Sequence, residues 1–299
     1  MFKRTQPIVI LEHYTPLKMI DKAIGRCWDK QRPEDVVDTK RMYRVGNKNK
    51  HQSVLEHVYY NFTFKNISRG LLQEIARTRI ASPSVKSSRY TLIELKTVSP
   101  FILDFEFTPN DGMSINIDSD GYNAVKPYMY FTGNKQVDDA SIVEMEILRR
   151  QVKTGIDNDY SKYNIPDAYL TEMSFTINMR ALQHLLLLRT ATSALEEYRI
   201  LAKAIFNVIP DDHKFMLKEF VYNEDDYESV NEIIISRIYL DRSTNTKVIV
   251  IDVLHAGTGE TIVIFKEINN GVIEEDARKM LMDTITFKKI YKLLKKDVV

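Results

Sequence analysis

The chain has little cysteine, little glycine and no excess of either charge. Among 299 residues there are one cysteine and ten glycines, and 42 Lys and Arg stand against 41 Asp and Glu. A lone Cys27 excludes an internal disulfide framework and fits a reducing compartment. The six histidines are scattered, without cysteine partners or HExxH-type spacing, which argues against a structural zinc site. No apolar run approaches the roughly 18 to 20 residues of a membrane helix. The opening MFKRTQPIVILEHY has only IVIL before it turns acidic, so it does not read as a signal peptide. The expectation is a cytoplasmic protein. With 44% hydrophobic and 28% charged residues the composition is ordinary for a globular chain. The length allows one large domain, or one of about 200 residues with a smaller one attached.

Periodicity then gives the elements. PIVIL reads as a short strand, followed by a turn at Thr15-Pro16 and a helix with Leu17, Ile20, Ile24 and Cys27 near one face. Alternation through Val58, Tyr60, Phe62 and Phe64 predicts a strand over about 56–65. Leu71, Leu72 and Ile75 at helical spacing, with Ser68 as N-cap, predict a helix that Pro83 ends, leaving ASPSVKSSRY as a loop. Residues 98–135 read as a hairpin-like insertion, and a helix is expected over about 140–154. The longest helical signal runs from about Met179 to Val208, with Leu182, Leu185, Leu186, Leu195, Leu201, Ala204 and Ile205 as core candidates. After the acidic NEDDYES, three strands with turns at Thr244-Asn245 and Gly257-Thr258-Gly259 are expected, closed by a basic amphipathic helix, FKKIYKLLKK. A domain boundary near 225 follows.

Against the neutral background, ARTRIASPSVKSSRY at 76–90 collects Arg77, Arg79, Arg89 and Lys86 among four serines. Aromatics are not interleaved with these cations, which argues against a nucleic-acid groove. No glycine occurs between 71 and 99, which excludes a glycine-rich phosphate cradle here. A compact anion site remains, because Arg forks and Ser hydroxyls around a turn hold phosphate by charge-assisted hydrogen bonds.

These residues also carry a resemblance. R-T-R, seven residues, then Ser, followed by SRY, resembles the R-H-R-x7-S signature of the flavin-dependent thymidylate synthases. AIGRCW, HQSVLEHVYYNFTF and IPDAYLTEMSFTINMRALQHLLLLRTATSALEE are similar to further segments of that family, in the same order, over about residues 8–210. The resemblance implies an α+β core of sheet and long helices, assembled as a homotetramer with active sites shared between subunits. It implies methylation of dUMP, with methylenetetrahydrofolate as one-carbon donor, FAD as cofactor and NADPH as reductant. By position, His51, Ser53, Glu56, Arg77, Thr78, Arg79, Asn178, Arg180 and His184 would serve the flavin. Glu74, Lys86, Ser87, Ser88, Arg89 and Lys162 would hold the nucleotide. Arg189 would polarise the pyrimidine, with Arg77 as its catalytic companion. At about 100° per residue, Arg180 and His184 lie on one face of the long helix and Arg189 and Ser193 on the opposite one, which suits a helix serving ligands on two sides.

The chain departs from the family pattern at contact positions. Thr78 stands for His, Ser84-Val85 for Asn-Glu, Glu74 for an amide, Lys162 for Arg, and His184 and Ser193 for Asn and His. A dUMP or dCMP hydroxymethylase, with Glu74 reading a cytosine amino group, is therefore an alternative, as is a degenerate flavin- or nucleotide-binding protein. Residues 225–299 have no counterpart in the resemblance. They are read as a small accessory β-meander and helix domain. Such an addition would suit a virus-encoded chain.

Overall fold

The computed structural model describes residues 3–29, 33, 36–102, 105–108, 112–115, 117–191, 193–222, 227–228, 238–255, 261–268, 279–283, 287 and 290–294. The chain is α+β and divides into two compact units. Met1–Leu182 with Asn207–Pro210 forms the first, and Gln183–Phe206 with Asp211–Val299 the second. This division cuts the chain earlier than residue 225.

The first unit is built on a four-stranded antiparallel sheet. Its elements begin with β1 (Ile8–Tyr14), α1 (Lys18–Cys27) and α2 (Thr39–Tyr43), followed by one π-helical turn at Arg44–Lys48 and one 3-10 segment at Gln52–His57. Next come β2 (Tyr59–Ser68), α3 (Arg69–Ile75), β3 (Ala81–Val85), α4 (Ser88–Thr91) and a 3-10 segment at Leu92–Thr97. The hairpin β4 (Phe105–Thr108) and β5 (Gly112–Ile115) leads to α5 (Ser119–Val125), α6 (Lys135–Lys153), α7 (Asn158–Ser161), β6 (Leu170–Asn178) and the start of α8 (Met179–Arg189). The sheet order is β1-β2-β6-β3. Tyr60, Phe62 and Phe64 of β2 are all buried, as their alternation requires, and Phe64 packs on Phe175 with ring centroids 5.3 Å apart. Ser68 ends β2 and caps α3, its hydroxyl accepting from Leu71 N at 2.9 Å.

A second core lies under α6, where Ile142, Met145 and Leu148 meet Leu92, Leu95 and Phe101. α6 starts at Lys135, five residues before the expected Ala140, because Asn134 caps it through Gln136 N at 3.1 Å. Glu146 is buried on this helix. It accepts from Arg149 (2.8 Å at both oxygens), Arg150 (2.7 Å) and the Phe101 amide (3.0 Å).

The second unit holds the rest of α8, most of α9 (Glu196–Val208), α10 (Asp211–Leu217) and a six-stranded sheet. Its strands are β7 (Tyr227–Glu228), β8 (Ile238–Asp241), β9 (Lys247–His255), β10 (Thr261–Ile268), β11 (Met280–Asp283) and β12 (Tyr291–Leu294), in the order β11-β10-β9-β8-β12-β7. Tyr239, Val250, Phe265, Phe287 and Tyr291 form its core. The expected turn at Thr244-Asn245 is present: Asn245 takes φ 56°, and Asp241 Oδ1 accepts from Ser243 N at 2.7 Å and Thr244 N at 3.1 Å. The Gly257-Thr258-Gly259 turn lies outside the described residues, as do most of NEDDYES and Lys288, Lys289, Lys295 and Lys296.

Four expectations fail on packing. ASPSVKSSRY is not a loop: Ala81–Val85 pairs with β6, and Ser88–Thr91 is helical. Pro83 is tolerated because β3 is an edge strand, where a missing N–H need not face a partner. The helix from Met179 to Val208 is two helices. Thr190 stops the first, its hydroxyl donating to Leu186 O and accepting from Tyr222 N, both at 2.7 Å. The predicted core residue Leu195 is exposed, at 49% exposure, and Cys27, on the helix face with buried Ile20 and Ile24, is exposed as well. The closing amphipathic helix gives way at Tyr291–Leu294 to β12, drawn into strand geometry by pairing with β8 and β7.

Candidate functional site

The sheet register gathers the sequence candidates into two groups, one at each end of β3. At the first end, Tyr59 pairs with Asn178 and Ala81 with Ile177. The segments just before β2, just before β3 and just after β6 therefore meet there. They carry His51, Ser53 and Glu56, then Arg77, Thr78 and Arg79, then Asn178 and Arg180. Arg180 Nη1 donates to Glu56 Oε1 at 2.6 Å, and Arg77 pairs with Glu74 at 3.3 Å while its side chain stays 73% exposed. Buried Asn178 caps α8, its Oδ1 accepting from Ala181 N at 2.8 Å. His51, Arg79 and His184 are exposed, and Thr78 is half-buried. Ile80, between the arginines and β3, is exposed with φ 57°, a left-handed conformation that a β-branched residue rarely adopts.

At the second end, Val85 pairs with Met173, and Lys86 N donates to Glu172 O at 2.9 Å. Lys86, Ser87, Ser88 and Arg89 follow directly. Lys86 pairs with Glu94 at 3.1 Å. Arg89 makes a two-pronged pair with Asp159, Nε to Oδ1 at 2.7 Å and Nη2 to Oδ2 at 3.1 Å. Asn158 Nδ2 donates to Arg89 O at 2.6 Å, closing the contact from the backbone side. A cavity of about 360 Å³ opens here, lined by Arg89, Tyr90, Lys96, Asp157, Asn158 and Asp159 among others. Lys162 Nζ lies 5.3 Å from the Tyr163 ring centroid. β3 itself covers four steps of about 3.3 Å, roughly 13 Å of backbone from Ala81 to Val85.

Arg189 is the last residue of α8, half-buried, with its guanidinium 4.7 Å from the Tyr198 ring centroid. Ser193 falls beyond the end of α8, so the Arg189–Ser193 face read from the sequence does not form. Two of the carboxylates facing these cations, Glu56 and Glu74, were read from the sequence, whereas Asp159, 70 residues from Arg89, and Glu94 were not. Among the described residues, no group of His, Cys, Asp or Glu is arranged to hold a metal ion, and no helix is long and apolar enough to cross a membrane.

Fold and site together define an α+β protein that presents cations at both ends of one antiparallel sheet. Residues 9–212 match the family model described as thymidylate synthase complementing protein. The chain belongs to this family, that of the flavin-dependent thymidylate synthases, and is an enzyme of it. It is 40% identical over 215 residues to the flavin-dependent thymidylate synthase of Helicobacter pylori, covering 71% of this chain and 97% of that protein. It is 41% identical over 220 residues to that of Campylobacter jejuni, covering 72% and 98%. A crystal structure of the Helicobacter pylori enzyme with FAD and dUMP superposes with a TM-score of 0.65 at 39% identity, covering 73% of this chain and all of that one.

Proposed function

We propose that this chain methylates dUMP to dTMP, with FAD as cofactor, methylenetetrahydrofolate as one-carbon donor and NADPH as reductant. The observation that carries the reading is the pair of cationic groups at the two ends of β3, in a chain whose relative binds FAD and dUMP. Three arginines with exposed side chains, Arg77, Arg79 and Arg180, rim the first end with His51, a donor set suited to a pyrophosphate-bearing cofactor. Ser53 and Thr78 add hydroxyls there, and Glu56 orients Arg180. FAD, when reduced, supplies the hydride that completes the methyl group.

At the other end, Arg89 and Lys162 neutralise the nucleotide phosphate, and Ser87 and Ser88 donate hydroxyl hydrogen bonds to it. Arg189 supplies positive charge where electron density develops on the pyrimidine carbonyl, an interaction that strengthens toward the transition state. Exposed Cys27 has no part. Glu74 is engaged with Arg77, so nothing in the geometry favours recognition of a cytosine amino group, and dUMP is the acceptor.

The homotetramer with shared sites rests on the resemblance to the family and is part of this reading. Flavin and pyrimidine must touch for hydride transfer, and in this reading the shared site brings residues of more than one copy to that contact. Residues 1–224 carry this chemistry and 225–299 form an accessory module, since the family match ends at 212. A cytoplasmic location fits the single cysteine.

The test is incubation of the protein with FAD, NADPH, methylenetetrahydrofolate and dUMP or dCMP, reading nucleotide mass. A methyl increment on dUMP is expected. A hydroxymethyl increment, or product from dCMP alone, contradicts the assignment.

A further inference from the structure

Four cations at the two ends of β3 each pair with a carboxylate of the same chain: Arg77 with Glu74, Lys86 with Glu94, Arg89 with Asp159 and Arg180 with Glu56. Arg89 is the strongest case, because Asp159 takes two prongs of its guanidinium, at 2.7 and 3.1 Å. Those prongs are the geometry by which an arginine grips a phosphate. Asp159 is held in place by its own turn, since Asp157 Oδ1 accepts from Asp159 N at 2.7 Å. On the facing side, Asn158 fixes the Arg89 backbone. The pair lines the cavity and is about half exposed, so an incoming anion reaches it from solvent.

We propose that Asp159 is a positioning residue that holds Arg89 closed until the dianionic phosphate of the nucleotide displaces it. This rests on the reading of Arg89 as a phosphate ligand. A phosphate with close to two negative charges outcompetes a singly charged carboxylate for the same fork, whereas a neutral nucleoside does not. Asp159 therefore lowers affinity for ligands whose phosphate must take the Arg89 fork, and leaves a ligand that does not engage Arg89 unaffected. Because the pair is solvent-screened, its removal tightens binding by only about two- to fivefold.

The test is calorimetric titration of the FAD-loaded, full-length enzyme with dUMP, for wild type, Asp159→Asn, Asp159→Glu, Arg89→Ala and the Asp159→Asn/Arg89→Ala double variant. Asp159→Asn should bind about two- to fivefold more tightly, Asp159→Glu should stay near wild type, and Asp159→Asn should have no effect once Arg89 is gone. Unchanged or weaker binding in Asp159→Asn, or the same tightening without Arg89, overturns the gate and leaves the proposed function standing. A wild-type enzyme that binds no dUMP overturns both.

Discussion

Arg89 sits where a substitution should speak most plainly about ligand binding. Replacing it with Ala removes the charged donor from the proposed nucleotide subsite, and should cost about 1.5 to 3 kcal/mol of dUMP affinity, roughly tenfold or more in Kd. Isothermal titration reads this directly, and an unchanged Kd would dissociate Arg89 from the phosphate. Glu146 carries the corresponding prediction for stability. Burial pushes its carboxyl up, but hydrogen bonds from Arg149, Arg150 and the Phe101 amide outweigh that and hold it below the ordinary glutamate value of 4.5. Its folded value is depressed, so its contribution is complete above pH 4.5 and is lost as pH falls below it. Glu146→Ala should strand buried Arg149 and cost about 3 to 5 kcal/mol in urea unfolding at neutral pH. The variant should also lose part of the wild type's acid-induced drop in stability. At this scale the sequence was legible where a motif is local. Arg77, Arg79, Ser87 and Arg89 stand within thirteen positions, whereas Asp159 and Glu94 enter only through tertiary pairing.

Among the elements, those with a strong local signal were readable. β2 announces itself by alternating aromatics and α3 by its Ser68 cap; α3 forms behind that cap, and β2 starts three residues later than expected because Gln52–His57 is a 3-10 segment. β3 was not readable, because serines and a proline suit a strand only at an edge, and the edge is defined by β6 across the sheet. β12 is a similar case: apolar positions at helical spacing in FKKIYKLLKK yield, from Tyr291 onward, to a strand that pairs on both sides. The break after α8 depends on Thr190, which satisfies Leu186 O and the buried Tyr222 N with one hydroxyl. Thr190→Val keeps the shape but leaves Tyr222 N without that acceptor, and should cost about 1 to 3 kcal/mol. A denaturation midpoint equal to wild type would show that the break is set by something else.

For the whole molecule, the relatives give the reference. They align over 97% and 98% of their own lengths using 215 and 220 residues, so a chain of that size suffices for the family fold. Truncation after residue 224 should leave FAD uptake and the proposed tetramer intact, as absorbance and light scattering would record. The compact units qualify this, because Gln183–Phe206 groups with the C-terminal sheet and Asn245 donates to Leu187 O at 3.3 Å. Some loss of thermal stability is expected, and collapse to monomers would make the added module an assembly element.

The measurement that bears most directly on the central claim is the ratio of dTMP formed to NADPH oxidised by the FAD-loaded enzyme, with dUMP and methylenetetrahydrofolate in excess. The account predicts one to one, with no product when FAD is withheld. NADPH oxidation without dTMP, or a modified nucleotide made without NADPH consumption, would contradict it.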